Sequence, residues 1–498
     1  MLTLPLEPTD DRADPIFKDA ASCTAWLAQL QLTNLQLAHS RLLIQINELN
    51  RLPMRGTVRL ETLEVLRETV GYVQEDLAKK FTGKPLPLSE GELTIFVSVI
   101  QLWQAMVTGY QRGLQACISG EKQMIRHGAL LCQRCLHYSG LIIFEHIRTG
   151  YQPAVKRWHQ LHELYAFAEQ QQFELTEVAD PLSAQPTHCA GTYIKSLLAC
   201  YANPAQLTHR QLQQMDLWLT SWSSTLSLSG RYAPSKNDAP PLAIDLPGAQ
   251  GLQRVEGLRH HEQMRYLAIV PLSKLLRVKT ILLEQSPQQP GDERTASLEL
   301  LHLLYSRWCE NRRSCIRRPC SMNTTLRYNP HQPHTHDALF KLKDESAKKT
   351  QPVHHWRIIN ENIMGALLFY TDMEEARMVA KQLIALRQGN SHMLGTTAWT
   401  GIMQDGVLAM GIKYFPGQPE PVQIRASGAA PTTAYLLPAL PAITTPASLI
   451  MPRNWFKPKK SIEILHENGQ VSGVRLGFSV EHGLDYERAS FTPLSPEP

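Results

Sequence analysis

Four arginines and two cysteines lie within nine residues of the stretch RRSCIRRPC, which runs from Arg312 to Cys320. Charge of this density can hold a small anionic ligand, contact nucleic acid, surround a metal site together with the cysteines, or simply form a solvated turn. Each of these roles would require different residues elsewhere in the chain. The total charge, the other cysteines and the downstream motifs therefore decide between them.

The total charge argues against a general nucleic-acid binder. The formal net charge is +5 over 498 residues, whereas basic residues dominate a domain that binds nucleic acid. Apolar residues make up 43% of the sequence and charged residues 19%, which is typical of soluble globular proteins. Any binding role of positive charge would therefore depend on a local concentration of basic residues, such as the one at 312–320.

The sequence predicts a cytoplasmic protein with no membrane span. No window approaches the roughly 18 uninterrupted apolar residues of a spanning helix. The first residues, MLTLPLEPTDDRADP, lack the basic and apolar regions of a secretory signal. Nine cysteines without an export signal are most simply reduced thiols.

The cysteines and histidines do not form a recognisable metal site. Cys132 and Cys135 make a CxxC pair on a predicted helix, but a structural zinc needs four ligands, and a second pair at suitable spacing is missing. We expect buried thiols. The stretch HQPHTHD contains His334 and His336 and is interpreted as a solvated loop, because no H-E-x-x-H motif accompanies it. No metal or cofactor is predicted.

No set of residues argues for catalysis. The chain contains no P-loop, no GxSxG motif and no Rossmann fingerprint after a strand. A non-enzymatic protein is the prediction, with an enzyme carrying an unrecognised site in the helical half as an open alternative.

The first 221 residues are predicted to form a helical domain. Apolar residues at three- and four-residue steps form one stripe at Leu63, Leu66, Val70, Val73 and Leu77. A capping box of Ser89 and Glu92 predicts the start of the next helix. Further amphipathic stretches lie at about 122–148, 153–173, 190–201 and 209–221. Short links between them favour an antiparallel bundle.

The segment 222–300 is predicted to be a linker or mixed segment. Its first part is rich in Ser, Pro and Gly with short strand-like pieces. A helix is expected at 258–285, bent or split at Pro271. Another at 294–309 leads directly to the arginine cluster.

After residue 320 the pattern becomes strand-like. Short runs bounded by Gly, Asn, Asp or Pro lie at 365–370, 382–387, 398–403, 407–415 and 421–426. Asp405-Gly406 marks a hairpin, as does Asn468-Gly469 in a last β segment. The predicted fold class is α+β multidomain: a helical bundle, an antiparallel β-barrel over 301–426 that includes the arginine segment, and a C-terminal β extension over 427–498.

The arginine cluster and a second motif, NENIMG, together resemble the two-part signature of PilZ domains. That signature is RxxxR before the barrel and (Asp/Asn)-x-Ser-x-x-Gly in an early strand. The corresponding residues here are Arg313 and Arg317 with the adjacent Arg312, followed by Asn360, Asn362 and Gly365. Asn362 departs from the pattern, because it stands at the Ser position.

The resemblance implies a receptor for cyclic di-GMP, which carries two phosphodiester charges and two guanines. Arginine can recognise both groups. Its guanidinium donates paired hydrogen bonds to guanine O6 and N7 or to phosphate oxygens, and its plane can stack on a base. A ligand that orders the arginine segment against the barrel would also act as a switch. The helical domain would then act on a protein partner, in a setting of motility, pili or biofilm.

Two alternatives remain for the arginines. They could form a solvated turn, or they could dock an acidic partner on a PilZ-like scaffold that binds no nucleotide.

Overall fold

A computed structural model describes residues 2–182, 185–232, 240–286, 294–310, 317–328, 354–371, 377–388, 391–426, 429–441, 444–466 and 468–494. The chain divides into two compact units. A helical unit comprises Met1–Lys84 and Leu88–Arg313, and a β unit comprises Pro85–Pro87 and Ser314–Pro498.

In the described residues up to 222, nine α-helices form the first part of the helical unit. They are α1 (Ala20–Leu27), α2 (Leu35–Arg51), α3 (Gly56–Ala78), α4 (Glu90–Ile118), α5 (Lys122–Ile125), α6 (Gly128–Thr149), α7 (Val155–Gln170), α8 (Cys189–Tyr201) and α9 (His209–Trp222). The apolar stripe predicted on α3 is buried along its whole length. The capping box at Ser89 is also confirmed, with both reciprocal hydrogen bonds present.

Helix α4 is long and apolar enough to cross a membrane by length and composition. It packs instead against α2, α3 and α6, and half of its most apolar window is buried inside the unit. These contacts make α4 the central helix of the bundle.

The core of the helical unit also contains a buried ionic cluster. Arg67 donates to both oxygens of Asp180 at 2.7 and 2.9 Å, and Arg134 donates to Asp180 Oδ2 at 3.0 Å. Arg134 also donates two bonds of 2.9 Å to Glu64. Burial alone would raise the pKa of Asp180, but the Arg67 hydrogen bonds and the Arg134 charge outweigh it and lower this pKa to about 2. The cluster ties the loop before α8 to α3 and α6.

The segment after α9 is the mixed segment with helices, one of the two predicted alternatives, and it belongs to the helical unit and is not a linker. It contains a four-stranded sheet of β1 (Leu228–Ser229), β2 (Leu242–Asp245), β3 (Gln253–Arg254) and β4 (Met264–Leu267), then α10 (Ile269–Gln285) and α11 (Arg294–Trp308). The predicted start of α10 at 258 is wrong, since residues 264–267 pair with β1 and β2. Pro271 causes no break because it lies in the first turn, where its missing N–H has no helical partner to lose.

The β unit contains two closed barrels. The first consists of β5 (Arg318–Tyr328), β6 (His354–Asn362), β7 (Gly365–Tyr370), β8 (Leu383–Gln388), β9 (Ser391–Ile402) and β10 (Leu408–Tyr414), in the order β10-β7-β6-β5-β8-β9. The second consists of β11 (Glu420–Arg425), β12 (Thr432–Leu437), β13 (Ser448–Pro452), β14 (Ser461–Leu465), β15 (Val471–His482) and β16 (Tyr486–Pro493), in the order β11-β12-β13-β16-β15-β14.

The second barrel corrects the predicted C-terminal extension in two ways. The extension closes on itself as a barrel, and β11 belongs to it because β11 pairs with β12 and β14. The boundary therefore lies between 414 and 420, where Gly417 has a positive φ of 85°, and not at 426. The two predicted hairpin tips are confirmed, since Gly406 and Gly469 both adopt positive φ.

Candidate ligand site on the first barrel

The two halves of the motif meet through one strand pairing. Strand β5 is antiparallel to β6, with Arg318 opposite Glu361 and Pro319 opposite Asn360. This register brings the Arg317 side chain to Asn360, where Arg317 Nη1 donates to Asn360 Oδ1 at 3.3 Å. Forty-three positions separate these residues in the chain, so the contact depends entirely on the barrel.

Asn362 closes the turn between β6 and β7. Its Oδ1 accepts from the backbone N–H groups of Met364 at 2.9 Å and Gly365 at 3.0 Å. An Asn side chain commonly forms such a turn. The carbonyl oxygen is therefore used within the protein, and the amide NH₂ is the group of Asn362 that a ligand can meet.

The tip of this turn is apolar and solvent-exposed. Ile363 is 91% exposed and Met364 is 54% exposed. Sequence reasoning did not single out either residue, although both lie inside the motif NENIMG.

Gly365 permits the close approach of two strands. A Cβ added at Gly365 would lie 2.0 Å from the backbone oxygen of Ile412 on β10. Backbone atoms cannot move aside as a flexible side chain can, so a side chain here would separate β7 from β10. The predicted Gly position of the motif thus has a structural role in the first barrel.

Substitution of Gly365 by Ala is expected to lower the free energy of unfolding by about 1–3 kcal/mol, because the added methyl overpacks the β7–β10 contact. Chemical denaturation followed by circular dichroism would measure this. The matched control is Gly473→Ala on β15, where the added Cβ would be no closer than 3.6 Å to its nearest neighbours. An equal loss of stability in both variants would contradict the steric explanation.

Arg318 lies on the face of the sheet opposite to that of Asn360, the residue that Arg317 contacts. Side chains alternate along a strand, and directly paired residues share a face, so Arg318 shares a face with Glu361. The Tyr414 hydroxyl donates to the Glu361 carboxylate on this face. Burial, and then this hydrogen bond, raise the pKa of Tyr414. These contacts support the choice of Arg317 over Arg318, and sequence reasoning missed Glu361 and Tyr414.

Arg312 and Arg313 lie outside the described residues, as do Cys315, His334 and His336. Their assignment to the site or to a loop remains a prediction. Within the described part of the chain, the structure brings together Arg317, Asn360, Asn362 and Gly365.

Among the described residues, no group of three or more His, Cys, Asp or Glu side chains could hold a metal ion. Cys132 and Cys135 are buried free thiols, as expected. Burial raises the pKa of the Cys135 thiol, so both cysteines have the character of core residues.

The helical unit contains a cavity of about 530 Å³ between α3, α6, α8 and α9. Apolar side chains such as Leu141, Phe144 and Met215 line it. Its walls also contain two ion pairs, Lys195 with Asp216 at 2.8 Å and Arg148 with Glu145 at 2.7 Å. An apolar cavity with paired charges suits binding of an apolar group.

Comparison with known proteins adds two family matches. Residues 21–235 match the model described as the N-terminal domain of the cyclic-di-GMP receptor FimW. Residues 421–494 match the FimW C-terminal beta-barrel domain, in close agreement with the second barrel. Together the two models cover more than half of the chain, and the first barrel lies between them.

A curated relative is similar along nearly the whole length. The cyclic-di-GMP receptor FimW of Pseudomonas aeruginosa is 23% identical over 548 aligned residues, which cover 92% of this chain and 88% of that protein.

Proposed function

We propose that this chain, which belongs to the FimW family because both domain models of that family match it, binds cyclic di-GMP at the first barrel. The observation that carries the proposal is the contact between Arg317 and Asn360, which joins the two halves of the motif. The relative is named as a cyclic-di-GMP receptor. The chain is accordingly a receptor and not an enzyme.

The chemistry of the described residues suits this ligand. Arg317 is solvent-exposed, and its bond to Asn360 is at the long end of hydrogen-bond geometry. Its guanidinium can therefore turn towards a phosphate or a guanine edge at little cost. The Asn360 side chain and the Asn362 NH₂ offer further hydrogen bonds beside it. Arg312 and Arg313 would supply the remaining charge for two phosphodiesters.

The position of the arginines in the chain also provides a means of signalling. Arg312, Arg313 and Arg317 all fall in the connection between α11 and β5. A ligand that contacts these side chains would fix the conformation of that connection, and a ligand-dependent segment is a common basis for switching. The change would be transmitted to the helical unit, whose apolar cavity is the surface that we propose for a protein partner.

Such a receptor would act in the cytoplasm and control motility, pili or biofilm formation. This setting is inferred from the resemblance to PilZ receptors. Binding of the nucleotide as proposed requires no metal or other cofactor.

Nucleotide selectivity tests the proposal. Full-length protein should bind a fluorescent cyclic di-GMP analogue. Unlabelled cyclic di-GMP should displace it at least about tenfold more effectively than cyclic di-AMP, because a bidentate arginine–guanine contact discriminates by about 1–3 kcal/mol. Equal displacement by both nucleotides would show that phosphate charge alone drives binding and would contradict guanine recognition.

A further inference from the structure

The connection between β13 and β14 is a second basic segment of the chain. It reads RNWFKPKK from Arg453 to Lys460 and contains no acidic residue. Its basic side chains are Arg453, Lys457, Lys459 and Lys460. None of the four has an ion pair within the described part of the chain, whereas Lys413 on β10 is paired with Glu481 at 2.9 Å. The segment therefore carries positive charge that the described residues do not compensate.

The second barrel brings further residues to this segment. Pro452, the last residue of β13, pairs with Tyr486 at the start of β16, so the segment lies at the same end of the barrel as the turn between β15 and β16. Arg453 Nη1 donates to the backbone oxygen of Leu484 in that turn at 3.3 Å. The Leu484 N–H donates in turn to the backbone oxygen of Lys381 at 2.7 Å. Lys381 adds a fifth cation that is exposed, and the apolar side chain of Leu484 is 51% exposed.

The acidic residue of that turn does not pair with these cations. Asp485 Oδ1 accepts the backbone N–H of Leu383 at 2.8 Å, and burial raises the pKa of the Asp485 carboxyl. We call the segment Arg453–Lys460, together with Lys381 and Leu484, the basic patch. Its charge is of one sign, so its partner must be anionic.

Two aromatic side chains lie among the cations and narrow the choice of partner. Trp455 and Phe456 are half-buried and pack against the core of the second barrel. The Lys460 ammonium lies 5.3 Å from the centre of the Trp455 ring, within the range of a cation–π contact. That face of the indole is unavailable to a nucleic-acid base, and proteins that bind single strands stack the bases on open aromatic faces. Half-buried aromatic rings beside lysines are instead typical of the headgroup level of a lipid bilayer.

We propose that the basic patch is a peripheral membrane-binding surface, which docks the second barrel on a bilayer rich in anionic phospholipid headgroups. The five cations contact the headgroup phosphates, and Leu484 supplies a shallow apolar contact. Each Lys or Arg near an anionic bilayer strengthens binding about fivefold. Binding of this kind is reversible and weakens as salt screens the charges.

Co-sedimentation of the full-length chain with lipid vesicles tests this surface. At about 0.1 M salt the chain should sediment with vesicles of equal parts phosphatidylglycerol and phosphatidylcholine, but not with phosphatidylcholine alone. At about 1 M salt, where the screening length falls to about 3 Å, the chain should be released. Sedimentation with both kinds of vesicle, or no release by salt, would contradict recognition of headgroup charge.

A pair of charge-removing variants locates the binding on the basic patch. Lys457→Gln/Lys459→Gln removes two exposed cations and should weaken vesicle binding about 30-fold. The matched control is Lys80→Gln/Lys84→Gln, which removes the same charge from two exposed positions of the helical unit and should bind within about threefold of the wild type, because distant charges are screened. Equal binding by both variants would place the contact elsewhere on the chain and overturn the proposal, as would a wild type that binds no vesicles.

A soluble acidic partner is the other occupant that the test must separate. The probes are a polyglutamate peptide and single-stranded oligothymidine. A chain that binds either probe but no vesicles, and loses this in Lys457→Gln/Lys459→Gln, would assign the basic patch to an acidic protein or a nucleic acid and overturn the membrane proposal. The vesicle assay contains no cyclic di-GMP and the basic patch lies outside the nucleotide motif, so its failure leaves the ligand proposal untouched.

Discussion

Replacing Arg317 by Ala should weaken cyclic di-GMP binding by about 10- to 100-fold, since a bidentate arginine contact is worth about 1–3 kcal/mol. Arg317 is the described residue of the arginine cluster that touches the second half of the motif. Fluorescence titration of the purified variant would measure the change. Because the side chain is exposed, the thermal unfolding midpoint should stay that of the wild type.

The matched control for this prediction is Arg318→Ala. It removes the same charge one position later, but from the face of the sheet that carries Glu361 and Tyr414. We expect its affinity to remain within about threefold of the wild type, since an exposed charge away from the ligand contributes little. Equal losses of affinity in both variants would show that binding depends on net charge alone and would contradict the two-part site.

The largest stability effect should come from Asp180→Ala. The variant leaves Arg67 and Arg134, both almost completely buried, with Glu64 as the remaining carboxylate of the cluster, so one of the two guanidinium charges loses its compensation. An uncompensated buried charge costs about 3–5 kcal/mol when its partner is removed. Urea denaturation followed by the helical circular dichroism signal would measure the loss.

The control for this variant is Glu463→Ala on the second barrel. It breaks an ion pair with Arg425 in which each side chain is nearly half exposed, and such pairs contribute about 0–1 kcal/mol. If the two variants lose similar stability, the buried cluster is not the anchor of the helical unit that the geometry indicates.

The same cluster predicts a pH dependence. The folded pKa of Asp180 is about 2, below the usual value of about 3.9 for an unfolded chain. Its stabilising contribution is therefore complete above the unfolded pKa and is lost as the pH falls through about 2. The free energy of unfolding of the Asp180→Asn variant should therefore lack the decrease that the wild type shows as the pH falls through this range.

The elements that could be predicted from sequence are those with local signals. Strand β7 begins at Gly365 and ends at Tyr370 as expected, because both ends carry turn-forming residues. Helix α11 and the capping box of α4 follow from patterns within a few residues. The motif placed Arg317 and Asn360 in one candidate site, but their contact depends on the pairing of β5 with β6, two strands that the sequence did not predict.

The features that escaped prediction depend on contacts distant in sequence. The alternation in β11 shows a strand, but only its pairing with β14, some forty residues later, assigns it to the second barrel. The cluster of Arg67, Arg134 and Asp180 joins three separate segments, so no local pattern reveals it. The turn-forming role of Asn362 required the hairpin geometry.

Calorimetric titration of the full-length chain with cyclic di-GMP tests the central claim most directly. A receptor of the proposed kind should give saturable heat with a dissociation constant below tens of micromolar, about −6 to −8 kcal/mol of binding free energy. Absence of binding at tens of micromolar nucleotide would contradict the account and leave the arginines as a protein-docking or solvated segment.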